Sequence, residues 1–288
     1  MQSSSPFSSF DPEGHKNDEI PPRRSISMRF VLPNVITILA ICAGVSSIRL
    51  AFEHRFETAI LMVLLAAVLD GVDGRLARLM GGGSPFGAQM DSLADVVNFG
   101  VAPALIIYSF LLNQAHQVGW VAALVYCIAC CLRLARFNVM IDNKHIPRWQ
   151  REYFVGIPAP AGAMLVLLPI YLGCMGLEPG AGWALVFSLY TVVIAFLLIS
   201  RLPVWNGKTI GQQLRRDVVI PGMLVVVIYV GFLATYTWQT LLFTAVAYMV
   251  FLPFSLMAYR KRAVAEATKV KNNSENIDGL AKTGKDNE

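Results

Sequence analysis

Residues 56–100 read FETAILMVLLAAVLDGVDGRLARLMGGGSPFGAQMDSLADVVNFG. Two apolar helical stretches meet here across a glycine-rich break, and four carboxylates interrupt them: Asp70, Asp73, Asp91 and Asp95. Counted from Phe56 at about 1.5 Å per residue, Asp70 lies about 21 Å along its helix, well past the midpoint of about 30 Å of hydrocarbon. Asp70, Asp73 and Ala77 share one helix face at i, i+3 and i+7, and Asp91 and Asp95 share a face of the next helix at i and i+4. The intervening Gly81, Gly82, Gly83, Ser84, Pro85 and Gly87 form a turn that returns the chain antiparallel. The two acidic faces then meet across one groove.

The rest of the chain has the same solvent in view. Of its 288 residues 55% are hydrophobic and 15% charged, with a mean hydropathy of +0.54. A soluble domain carries about 25% charged residues, so the composition predicts an all-α, polytopic membrane helical bundle. About eight segments of roughly twenty apolar residues are long enough to span a bilayer. They begin near Phe30, Phe56, Ala88, Val118, Pro160, Gly182, Val218 and Thr240. The fifth, interrupted by Pro169, is short.

Lysines and arginines set the orientation. Arg23, Arg24 and Arg29 precede the first span, and Arg75 and Arg78 lie between the second and third. Arg133, Arg136, Lys144, Arg148 and Arg151 lie between the fourth and fifth. Arg201, Lys208, Arg215 and Arg216 follow the sixth, and Arg260, Lys261 and Arg262 the eighth. Of the alternate connections only the first, with Arg49 and Arg55, carries such residues. The positive-inside rule puts both termini in the cytoplasm, and the acidic groove with them. Trp120, Trp183 and Trp238 fall at outer ends, Trp149 and Trp205 in inner connections, as interfacial anchors or as ordinary loop packing.

The expected organisation is a disordered cytoplasmic tail over residues 1–27, a membrane domain over 28–264 and a second disordered tail over 265–288. The polar N-terminal stretch lacks the apolar segment of a signal peptide. Cys42, Cys127, Cys130, Cys131 and Cys174 all lie in apolar stretches and read as packed thiols. The net charge of +5 falls outside the apolar runs without a basic stripe of exposed aromatics, so nucleic acid is not an expected partner.

A single aspartate near a span end is an ordinary interfacial residue. Four at paired helical spacings repel one another and need relief, by protonation or by a cation. An all-oxygen acidic set suits Mg²⁺ or Mn²⁺ rather than zinc or copper, and two such ions would balance the four charges. Arg78 can hold a phosphate bidentately, or simply mark topology.

These residues carry a resemblance. The pattern D-x-x-D-G-x-x-A-R-x(8)-G-x-x-x-D-x-x-x-D is met without departure by Asp70, Asp73, Gly74, Ala77, Arg78, Gly87, Asp91 and Asp95. It resembles the signature of the CDP-alcohol phosphatidyltransferase family. LPNVITI at the first span, DSLADVVNFGVAPA from Asp91, CLRLARFNV at 131–139 and FVGIPAPAGA at 154–163 are similar to the phosphatidylserine synthase branch. That similarity covers roughly residues 28–175; the last three spans resemble the branch only in hydropathy.

The resemblance implies transfer of the phosphatidyl group of CDP-diacylglycerol to L-serine, giving phosphatidylserine and CMP. It implies Asp70, Asp73 and Asp91 as ligands of two Mg²⁺ or Mn²⁺ ions, and Asp95 as a further ligand and the general base. Gly74, Ala77, Arg78 and Gly87 would make room for and hold the CDP-lipid. Asn34 and Thr37 either line the nucleotide pocket or serve helix packing. Arg133, Arg136 and Asn138 are candidates for serine binding, the arginines doubling as positive-inside anchors. It further implies a homodimer in the bacterial inner membrane. Another acceptor (glycerol 3-phosphate, inositol phosphate or choline) keeps the chemistry and changes the product, whereas a divalent-cation transporter would need polar groups through the outer half.

Overall fold

The computed structural model describes residues 28–81, 85–141, 153–177, 179–180, 182–200, 203–205, 216–255 and 257. Both expected tails, and the turn residues Gly82, Gly83 and Ser84, lie outside them, as do Lys144, Arg148, Arg151, Lys208 and Arg215.

Helix α1 (Met28–Phe52) runs against α2 (Phe56–Leu79), the most extensive helix pairing among the described residues. Helix α3 (Pro85–Asp95) passes through a π-turn (Val96–Val101) into α4 (Ala102–Phe110). A 3₁₀ turn at Leu112–Ala115 leads into α5 (His116–Ile141), which packs along α8 (Trp183–Ile199). Between them lie α6 (Ala159–Val166) and α7 (Leu168–Cys174). Helices α9 (Arg216–Thr235) and α10 (Thr237–Ser255) complete the described chain.

The regular structure among the described residues is therefore helical apart from one short ribbon. Strand β1 (Tyr153–Val155) pairs antiparallel with β2 (Pro203–Trp205), in the register Tyr153–Trp205, Phe154–Val204 and Val155–Pro203. Three-residue strands in loops are beyond what hydropathy can announce. Among the described residues four helical segments are long and apolar enough to cross a membrane: Val31–Phe52, Phe86–Phe110, Leu112–Val139 and Thr237–Ser255. Trp183–Ile199 and Ile220–Thr235 are apolar and shorter. Helix α2 has the length, but Glu57, Asp70, Asp73, Arg75 and Arg78 lower its hydropathy.

Two prolines explain the irregular helices. An α-helix bonds each carbonyl to the N–H four residues on, which proline lacks. Pro103 is four residues beyond Phe99, and Pro169 is four beyond Leu165. The chain widens into the π-turn at the first place and breaks at Leu167 at the second. In each case a tyrosine from another helix serves the carbonyl: Tyr126 Oη donates to Phe99 O at 2.9 Å, and Tyr190 Oη to Leu165 O at 2.8 Å. The fifth apolar segment is thus two short helices, where the sequence suggested one truncated span.

The core lies where α1, the α3–α4 helix and α5 converge. Phe99, Ile106, Ile107, Tyr126 and Ala129 are buried there. Two glycines permit that convergence. A Cβ on Gly44 would collide with the Asn98 amide, and one on Gly100 would lie 3.2 Å from the Cys130 Cβ. The outward faces are apolar instead: Val68, Leu93, Val121, Leu189, Phe196 and Val227 are all exposed, the pattern of a protein whose surroundings are hydrocarbon. A membrane protein results.

Candidate active site

The site is built from the C-terminal part of α2 and from α3. On α2, Asp70 and Asp73 are three positions apart and project together. Asp91 on α3 comes to meet them. One carboxylate oxygen from each of Asp70, Asp73 and Asp91 lies within 4.8 Å of the other two. Asp95, one turn further along α3, stands beside this triad, with its carboxyl group against that of Asp70. All four acids of the sequence pattern therefore meet in one place.

Helix α1 supplies an orienting contact. Thr37, buried, donates its hydroxyl to Asp73 Oδ2 at 2.5 Å and also approaches Pro33 O at 3.1 Å. This fixes one carboxylate oxygen and turns the other inward. Asp73 Oδ1 and Asp70 Oδ1 are then buried with no hydrogen-bond partner among the described residues. Unpartnered carboxylate oxygens out of water are costly unless something positive meets them. A hard, oxygen-seeking divalent cation fits this donor set.

The remaining pattern residues surround the acids. Arg78 is exposed, faces Asp91, and spreads its guanidinium 4.0 Å from where a Cβ on Gly74 would stand. Gly74 and Ala77 are half-buried beside it, and Gly87 is half-buried one turn before Asp91. Asn34, also half-buried, sits one turn before Thr37 on α1.

The serine-site candidates on α5 separate into three kinds. Arg133 is 9% exposed, faces Asp95, and keeps Nε unpartnered among the described residues. Arg136 spends its guanidinium on the C-terminal end of α8, donating to Ile199 O at 2.6 Å, Ser200 O at 3.3 Å and Leu198 O at 3.5 Å. A cation there meets the negative end of the helix dipole. Asn138 donates Nδ2 to Ser92 Oγ at 3.0 Å, joining α5 to the residue after Asp91.

Two further residues belong to these surroundings. Asn98, fully buried across Gly44, has both amide atoms unpartnered among the described residues. Its spacing of i+7 from Asp91 and i+3 from Asp95 already aligned it with them. Tyr126, through Phe99 O, braces the turn that follows Asp95; only the pairing of the carbonyl that Pro103 leaves open, Phe99 O, with a tyrosine 27 residues beyond it could have signalled it.

The helical bundle thus gathers four aspartates in this spacing beside an arginine over glycine. The CDP-alcohol phosphatidyltransferase family model matches residues 30–197, and a second, CDP-alcohol phosphatidyltransferase 2, matches 217–253. The chain belongs to the CDP-alcohol phosphatidyltransferase family. Among curated relatives, the CDP-diacylglycerol–serine O-phosphatidyltransferase of Mycobacterium leprae is 41% identical over 239 residues, 81% of this chain and 77% of the relative. The enzyme of that name from Mycobacterium tuberculosis H37Rv is 36% identical over 243 residues, covering 83% and 82%. That from Helicobacter pylori 26695 is 33% identical over 195 residues, covering 68% and 80%.

Proposed function

We propose that the protein transfers the phosphatidyl group of CDP-diacylglycerol to the hydroxyl of L-serine, releasing CMP. The observation that carries this reading is the acidic triad with inward, unpartnered oxygens and a fourth aspartate beside it. The names of its bacterial relatives support serine as acceptor.

Each residue has a task in that reaction. Asp70, Asp73 and Asp91 hold the divalent metal, two Mg²⁺ or Mn²⁺ ions in this reading, with Asp95 a further ligand. The metal supplies charge neutralisation on the pyrophosphate and on the departing CMP. Thr37 keeps Asp73 oriented. Arg78 pairs with a phosphate of the CDP-lipid, and Gly74, Ala77 and Gly87 leave room for it, with Asn34 at the pocket's edge. The serine hydroxyl oxygen bonds to the phosphorus of the phosphatidyl group as the bond to the CMP oxygen breaks. Asp95 takes the hydroxyl proton. A carboxylate suffices as base where proton transfer is late, as in a loose phosphoryl-transfer transition state.

Arg133 receives the serine carboxylate, since it faces Asp95 from a buried position. Arg136 is committed to α8 and Asn138 to Ser92, and both act by holding the acceptor pocket's walls. Eight spans, counting α3–α4 and α6–α7 as one each, with both termini cytoplasmic, follow from the basic connections. The groove then opens where soluble serine meets a lipid still anchored by its tails, at a bacterial inner membrane. A homodimer completes this reading, with α1, α2, α3 and α5 of each copy carrying a full site.

Purified protein should release CMP from CDP-diacylglycerol only with both a divalent cation and L-serine. Equal turnover with glycerol 3-phosphate, inositol phosphate or choline would reject serine; cation flux in liposomes without CMP release would reject the enzyme.

A further inference from the structure

Helix α10 turns a buried tyrosine hydroxyl toward the core. Its inward face follows a seven-residue repeat: Leu241, Ala245, Tyr248, Leu252 and Ser255. Leu241, Ala245 and Leu252 are buried in the core, and the ring of Tyr248 packs against the same cluster. A phenylalanine would fill that place as well. The hydroxyl is the anomaly, because Tyr248 Oη is buried and has no hydrogen-bond partner among the described residues. A buried hydroxyl without a partner costs about 1–3 kcal/mol, so something beyond the described residues should meet it.

What lies opposite identifies the chemistry. The Tyr248 hydroxyl lies within electrostatic reach of Arg133, whose Nε is likewise buried and unpartnered among the described residues. Arg133 faces Asp95 on its other side. Two buried, unpartnered donors, an O–H and an N–H, thus lie in the neighbourhood of the proposed base. Arg133 can satisfy only the hydroxyl's oxygen, because a guanidinium has no acceptor and the hydroxyl's own proton would still be unmet. A group with two acceptor oxygens and a negative charge satisfies both. A carboxylate is such a group, and it is planar, which suits a guanidinium edge.

We infer that Tyr248 is a specificity-determining residue, donating its hydroxyl to the carboxylate of the amino-acid acceptor alongside Arg133. The inference rests on the serine reading above and extends it to a helix outside the segment matched by the first family model. The acceptor would be held at its carboxylate by α5 and α10 while its hydroxyl points at Asp95 on α3. Acceptor alcohols without a carboxylate would leave the two donors unmet, which is how such a site rejects them.

Tyr248→Phe removes one oxygen and keeps the ring's packing. In the full-length protein with Mn²⁺, the KM for L-serine should rise about tenfold, as loss of a hydrogen bond to a charged group predicts. The KM for CDP-diacylglycerol should not move, and kcat should fall by less than about threefold, since uniform acceptor binding is what has been lost. A purely structural role would move both KM values or neither. An unchanged serine KM, or an equal rise in both, would overturn the role of Tyr248 while a serine-dependent wild type left the reaction standing. A wild type that releases CMP without serine would reject the reaction and this residue's role together.

Discussion

The hydroxyl of Tyr126 on α5 lies 2.9 Å from the carbonyl oxygen of Phe99, inside the π-turn that follows Asp95. This single contact closes the backbone valence that Pro103 leaves open, and it does so within one turn of the proposed base. Tyr126→Phe should therefore destabilise the protein by about 1–3 kcal/mol, the cost of a buried carbonyl left unmet. Thermal unfolding in detergent checks this. Tyr190→Phe, which strips the same kind of contact from Leu165 O, should cost a similar amount but leave turnover of the folded protein closer to wild type.

Asp95→Asn keeps the shape of the side chain and removes its ability to take a proton. CMP release should fall by about 10²- to 10⁴-fold, the usual worth of a general base, while CDP-diacylglycerol still binds. Near-normal turnover in this variant would assign the proton to another group. Asp91→Asn should instead weaken metal and CDP-lipid binding together, measurable by titration calorimetry.

Thr37→Val deletes the hydroxyl that orients Asp73. Loss of such an outer contact lowers metal affinity by about 10–100-fold. The Mn²⁺ concentration for half-maximal CMP release should rise accordingly, with the plateau rate less affected. A chelator should abolish activity in wild type and variant alike, and Mn²⁺ or Mg²⁺ should restore both.

The two arginines of α5 should behave differently. Arg136→Ala removes donors to three carbonyls at the end of α8 and should lower thermal stability, with the serine KM of the surviving enzyme near wild type. Arg133→Lys keeps the charge but loses the planar fork, and should raise the serine KM without comparable loss of stability. The reverse assignment would exchange these phenotypes.

Much of the site was legible because it depends on local spacing. Asp70 with Asp73, and Asp91 with Asp95, share helix faces by periodicity alone, and the glycines between them announce the reversal. The helical class followed from hydropathy. What was not legible depends on partners far along the chain. Nothing near Phe99 says that Tyr126 will serve its carbonyl, and nothing near Arg136 says that it will cap α8 rather than line a pocket. Tyr248 lies in a stretch read only as apolar, where one hydroxyl in a hydrophobic run carries no periodic signal. Pro169 did mark a disruption, but whether a proline shortens or splits a helix is decided by whether a neighbour such as Tyr190 fills the gap.

The π-turn at Val96–Val101 also changes what the helix containing it can do. A regular helix from Pro85 to Phe110 would have to present one continuous stripe to one neighbour. The wider turn resets the angular phase midway, so Asp91 and Asp95 address α2 while Phe99, Ile106 and Ile107 address the core. The helix thus keeps two independent registers. Removing one residue from the turn would restore continuity and swing the acids about 100° out of alignment with Asp70 and Asp73, though every side chain of the site would still be present.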